Sequence, residues 1–264
     1  CGTFLGVFHA ISKGRDPMKY FKSINLAVLA TLSANANNIQ AQTTQPNFII
    51  IFADDLGYGD LSCYGHPTIM TPNLDKMAEE GMRFTQFYVG AAVSSPSRAA
   101  LLTGRLGIRT GVYGTKDPKG NKGVVFLQNS LSGLPLSEIT IAEVLKGSGY
   151  ETAIIGKWHL GHMPHLLPLN QGFNYWYGID HHQNVQANSR SDTGEVKASS
   201  SNPQTGRRPW CSLYRNNTVI DESPDMLFLT RQYTEEAISY IKRNKDRPFF
   251  LYYANNNPHT PLFA

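Results

Sequence analysis

The sequence predicts an α/β protein built on a sheet of mainly parallel strands, and three observations predict it. Short apolar runs rich in β-branched and aromatic residues recur at 48–53, 151–155 and 248–253; helical periodicities fall between them; and each run stops abruptly at a polar cluster. The first run, Phe48-Ile49-Ile50-Ile51-Phe52-Ala53, is apolar without alternation, which predicts a strand covered on both faces. Thr71-Pro72 then opens a helix with a capping residue and Pro in the first turn. Leu74, Met77 and Ala78 repeat at helical spacing, and Gly81 closes it. Residues 83–89 alternate as a strand would. Thr140-Ile141-Ala142-Glu143 is a capping box, which predicts a helix through Lys146 closed by Gly147 or Gly149. Residues 184–217 are polar, Ser-rich and aperiodic, as in a long excursion. A helix over 229–243 follows, with Tyr233, Ala237, Ile238 and Ile241 on one face, before the last apolar run. The sequence shows no internal repeat and no apolar stretch long enough for an integral membrane segment.

Composition narrows the function classes. With 41% hydrophobic and 17% charged residues, the 264-residue chain is long enough to bury a core. Of its formal net charge of +4, Lys13, Arg15, Lys19 and Lys22 against Asp16 put three in the first 42 residues, so the rest is nearly neutral and nothing points to a nucleic-acid binder. Cys1, Cys63 and Cys211 lie far apart, without the spacing of a zinc site or a disulfide framework. Met18-Lys19-Tyr20-Phe21-Lys22 precedes a short apolar run, and Ala34-Asn35-Ala36 offers a small-residue cleavage site, so 18–42 reads as a secretory signal. Residues 1–17 precede that methionine and read as an upstream segment, leaving 43–264 as the folded part. The expected location is periplasmic or extracellular.

The polar clusters after the strands carry the chemistry. Asp54-Asp55 follows the first, Gly156-Lys157-Trp158-His159 the second, and Asn257-Pro258-His259 the last. In an α/β sheet, ligands gather at the carboxyl ends of strands. Converging there, two carboxylates, a lysine and two imidazoles suit a hard cation beside an anionic substrate.

Between the first two clusters lies Ser94-Ser95-Pro96-Ser97-Arg98-Ala99-Ala100-Leu101-Leu102-Thr103-Gly104-Arg105. This segment resembles the sulfatase signature, in which Cys or Ser, any residue, Pro, Ser and Arg precede a helix and a Thr-Gly-Arg turn. The resemblance extends over nearly all of 47–264 and takes in four further blocks in order. They are Phe52-Ala53-Asp54-Asp55-Leu56-Gly57-Tyr58-Gly59-Asp60-Leu61, Thr71-Pro72-Asn73-Leu74-Asp75, Gly156-Lys157-Trp158-His159-Leu160-Gly161 and His259-Thr260-Pro261. It points to the group of arylsulfatases and N-acetylgalactosamine-sulfatases.

The resemblance implies an alkaline-phosphatase-like sandwich, with a large mixed central sheet flanked by helices, and hydrolysis of sulfate esters. Ser94 is then the residue oxidised to 3-oxoalanine (formylglycine), by a radical-type maturation enzyme because it is a serine, and the hydrated aldehyde works through a sulfated-enzyme intermediate. Asp54, Asp55 and the position-94 oxygen become ligands of calcium, in preference to magnesium. Arg98 holds the nucleophile's oxygens, Lys157 bridges nucleophile and sulfate, and His159 takes a proton. His259 stands by the leaving group, His182 contacts substrate, and Ser97 shapes the signature loop. The expected substrate is a sulfated small molecule or glycan. Two departures accompany these matches: an Asp-Asn metal pair and a further sulfate-binding lysine lie beyond Ala264 in the family pattern. The C-terminal part is therefore expected to be missing, and these residues alone are expected to be inactive. Two other readings fit part of the pattern: a phosphatase or phosphonate monoester hydrolase of the same superfamily, and an inactive sulfated-glycan-binding relative in which Ser94 stays serine.

Overall fold

A computed structural model describes residues 45–113, 115–116, 122–123, 125–127, 130–182, 211–222 and 224–260. The upstream segment, the expected signal at 18–42 and most of the expected excursion lie outside these residues. Among the described residues six strands form the main sheet: β1 (Phe48–Asp54), β4 (Glu151–Gly156), β5 (Tyr175–Ile179), β6 (Leu213–Arg215), β7 (Thr218–Asp221) and β8 (Phe249–Pro258), with β2 (Thr115–Lys116) and β3 (Lys122–Gly123) pairing separately. The order is β1-β8-β4-β5-β6-β7; the first four are parallel, and β6 and β7 are antiparallel additions. The sheet is thus mixed, as expected.

Helices cover its two faces. On one side α2 (Ser94–Thr103) and α4 (Ile141–Gly147) enclose Ile50, Phe52, Ile154, Trp176, Phe250 and Tyr252; on the other, α5 (Met226–Asn244) closes over Ala153, Ile155, Tyr177 and Leu251. The alternation of β4 and β8 residues between these cores is the period-2 geometry of strands buried on both faces. The short α1 (Pro72–Glu80) and α3 (Gly107–Thr110) lie outside this framework, and α1 buries no residue fully. Thr140 and Glu143 form the expected capping box at α4, and Asp225 caps α5. Among the described residues no helix is long and apolar enough to cross a membrane.

Several sequence expectations are corrected. Residues 83–89 form no strand, because side chains hold their backbone in place of a ladder: Tyr64 Oη donates to the Phe84 carbonyl at 2.8 Å, and Tyr58 Oη to that of Thr85 at 3.0 Å. Among the described residues nothing covers strand β1 fully on both faces. Ile51 is exposed, since α5 packs on β8, β4 and β5 and leaves β1 at the edge. Ile238 is exposed too, and the buried face of α5 runs through Leu229, Tyr233, Ala237 and Tyr240. The excursion ends early: β6 and β7 form a hairpin whose turn residue Asn216 accepts from Trp176 N–H at 3.1 Å. Strand β8 runs through Asn255-Asn256-Asn257 and ends one residue later, at Pro258.

Where β4 ends, the chain is pinned between its neighbours. Lys157 N–H donates to the Ala254 carbonyl at 2.8 Å, Trp158 N–H to that of Ile179 at 2.9 Å, and His159 N–H to that of Asp180 at 3.0 Å. Gly156 permits this turn with φ of 115°, and a Cβ there would stand 1.9 Å from the Ala254 carbonyl oxygen. Gly156→Ala is therefore expected to cost the full-length protein about 3 kcal/mol or more. A urea midpoint equal to that of wild type would contradict this.

Candidate active site

The carboxyl ends of the parallel strands β1, β4 and β8 lie side by side and bring their polar clusters together. Helix α2 starts beside them, so the signature forms the first turns of the helix itself: Ser94 is the first helical residue after Val93, and Gly104 closes the helix in the left-handed conformation. Ser95, Pro96, Ser97 and Arg98 are all buried. Because Arg98 follows Ser94 by one turn, its side chain lies on the same face, and Nε donates to Ser94 Oγ at 2.9 Å.

Arg98 is the hub of the site. Its Nη2 pairs with Asp54 Oδ1 at 3.2 Å, while Nη1 donates to the Lys157 carbonyl at 2.9 Å and to Tyr252 Oη at 3.2 Å. The guanidinium also sits 5.2 Å from the centroid of the Phe52 ring, a cation–π contact. Lys157 Nζ closes on the other Asp54 oxygen at 2.5 Å. The Arg98 and Lys157 side chains are 0% exposed and that of Asp54 5%, so one carboxylate serves two buried cations. Burial opposes the charge on Asp54, but Lys157 and Arg98 prevail and hold its pKa below the usual carboxylate range. Burial lowers the Lys157 pKa, with Asp54 working in the opposite direction.

His159 completes the contacts of Ser94. Its Nδ1 lies 3.0 Å from Ser94 Oγ, and its Nε2 lies 2.9 Å from the carbonyl oxygen of Phe126. Burial first, then Lys157, push its pKa well below the ordinary histidine value, so the ring is neutral at pH 7. His182 is held 5.3 Å from His159, centroid to centroid, and its pKa is drawn down to about 4 by burial and by Lys157. Asp55, with φ of 63°, turns outward beside Asp54; its side chain is 53% exposed and stands 3.5 Å from His259 Nε2. An open cleft lined by Asp54, Asp55, Val93, Ser94 and Ser97 gives access to the group.

The structure thus joins Ser94, Arg98, Asp54, Lys157 and His159 by direct contacts, sets Asp55 against His259 at the mouth, and leaves His182 adjoining His159. Sequence reasoning missed Tyr252 and Phe52, which read only as core positions in apolar strands, and the carbonyl of Phe126, which no side-chain pattern marks. Among the described residues no group of three His, Cys, Asp or Glu side chains is arranged to hold a metal. Asp54 and Asp55 nevertheless supply hard oxygen donors of the kind calcium takes, as part of the roughly 6–8 oxygens of its shell.

A sequence model of the family described as Sulfatase matches residues 46–264. The chain is 43% identical over 224 residues to human arylsulfatase A, covering 83% of this chain and 42% of that protein. It is 39% identical over 248 residues to N-acetylgalactosamine-6-sulfatase of Sus scrofa, covering 90% and 44%. The crystal structure of PsFucS1 sulfatase from Pseudoalteromonas sp. superposes with a TM-score of 0.69 at 27% identity, covering 90% of this chain and 48% of that one. The chain spans less than half the length of these relatives. With the match running the length of the described fold and the signature at its centre, the chain belongs to the sulfatase family.

Proposed function

We propose that the protein to which this chain belongs hydrolyses sulfate esters, with position 94 as the attacking group. The observation that carries the reading is the placing of Ser94 Oγ between Arg98 Nε, a donor, and His159 Nδ1, beside the cations of Arg98 and Lys157. An unmodified serine could accept a sulfuryl group but could not eliminate it. Formylglycine at this position would supply a hydrated aldehyde, with a second hydroxyl on the same carbon.

The chain's own residues then have distinct tasks. Arg98 orients the oxygen at position 94, and the buried positive charge of Arg98 and Lys157 favours the sulfate oxygens. Neutral His159 accepts a proton through Nδ1. His259 would donate to the leaving-group oxygen, and His182 would contact the organic part of the substrate. Asp54, Asp55 and the position-94 oxygen would hold calcium, whose charge lowers the pKa of a neighbouring hydroxyl. We further read the substrate as a sulfated glycan or small molecule, consistent with the sugar that the name of the porcine relative carries. Export directed by residues 18–42 and a radical-type maturation enzyme acting on Ser94 belong to the same proposal.

Two measurements test it on protein purified from the native host. The tryptic peptide running from Phe84 to Arg98 is expected to be lighter by two hydrogens than its encoded mass. Nitrophenyl sulfate is expected to turn over faster than nitrophenyl phosphate. Active enzyme whose peptide keeps the encoded mass, or a preference for phosphate, would overturn the reading.

A further inference from the structure

The geometry points to Ser95, the unrestricted position of the signature, as a positioning residue that sets which nitrogen of His159 faces Ser94. The inference rests on the sulfatase reading and extends it to a residue outside the signature's fixed set. It begins at the far side of the imidazole. A carbonyl oxygen has only lone pairs to offer, so the His159 Nε2 that lies 2.9 Å from the Phe126 carbonyl must carry the hydrogen. On the near side Ser94 Oγ accepts from Arg98 Nε at 2.9 Å and has its own hydrogen to give to Nδ1, 3.0 Å away, which takes it on a lone pair. Were the Phe126 carbonyl to rotate away, the hydrogen could move to Nδ1. The ring would then donate to the position-94 oxygen instead of accepting its proton.

What holds that carbonyl is visible on the same residue. The Phe126 side chain is buried in the main core and fixes where the residue sits. Its backbone N–H donates to Ser95 Oγ at 3.1 Å and fixes how the backbone is turned about that anchor. Ser95 is itself 0% exposed, so no water competes for the bond. The contacts close a ring: Ser95 holds the Phe126 backbone, the Phe126 carbonyl holds His159 Nε2, and His159 Nδ1 meets Ser94, the residue next to Ser95 in the chain. Residues 125–127 belong to no helix or strand, so no ladder would replace this tether.

The test uses the full-length protein with kcat expressed per folded, modified site, the modified fraction coming from the peptide mass and the folded fraction from thermal unfolding. Ser95→Ala removes the acceptor and leaves every fixed signature position in place. Its kcat for nitrophenyl sulfate is expected to fall about tenfold with KM within about twofold of wild type, a part of the usual contribution of a general base. Ser95→Thr keeps the hydroxyl and is expected to hold kcat within about threefold. A Ser95→Ala kcat within about twofold of wild type would overturn the inference, as would a loss expressed in KM or equal losses in the two variants. A wild-type protein that turns over no sulfate ester would overturn this inference and the sulfatase reading together, whereas equal activity of wild type and Ser95→Ala removes only the role of Ser95.

Discussion

Asp54→Asn is expected to cost the full-length protein about 3–5 kcal/mol of stability and to lower kcat by at least about 10³-fold. Asparagine fills the same volume, so no cavity contributes. The cost comes from charge. Asp54 is the shared anion between the fully buried cations of Arg98 and Lys157, and with its pKa below the usual range it is ionised at neutral pH. Asparagine removes the anion and offers an amide N–H where a carboxylate oxygen met a cation, leaving two positive groups out of water without a counter-charge. Equilibrium urea unfolding and steady-state turnover measure the two effects. A stability loss below about 1 kcal/mol would show that Arg98 and Lys157 find another partner, and the carboxylate would lose its place as the organising charge.

Ser94→Ala is expected to abolish turnover while sparing the fold. Removal of a nucleophile acting with a base typically costs on the order of 10⁵ or more in kcat. Stability should change by only about 1 kcal/mol, because Arg98 keeps Asp54, Tyr252 and the Lys157 carbonyl as partners and alanine suits the first turn of α2. Turnover within about tenfold of wild type would remove Ser94 from the chemistry. The two substitutions fall on residues joined through one arginine, yet one is read in unfolding and kinetics together and the other in kinetics alone.

Much of this arrangement was legible in the sequence because its determinants are local. The apolar runs at β1, β4 and β8, the capping box at Thr140 and the signature at Ser94 each depend on residues within one or two turns or a single strand. The abrupt polar endings of the strands then located the site, since parallel neighbours bring their carboxyl ends to one edge. What escaped was set by partners distant in sequence. Residues 83–89 alternate like a strand, but Tyr58 and Tyr64 bind their carbonyls instead. β6 reads as part of a polar excursion because it is only three residues long, and pairing with β5 defines it. Tyr252 and Phe52 carry no polar signal beyond that of ordinary core aromatics, and their contact with Arg98 appears only when β1 and β8 are adjacent.

The strand order has a consequence for synthesis. β8 lies between β1 and β4 although it is made after both, and Asn47 Oδ1 accepts from Phe249 N–H across 202 positions. As the polypeptide leaves the ribosome, the halves of the site therefore wait apart, with Asp54 at the end of one strand and Lys157 just after another that does not pair with it. Until β8 arrives nothing pairs with both strands, so these buried charges come together only through that non-local pairing.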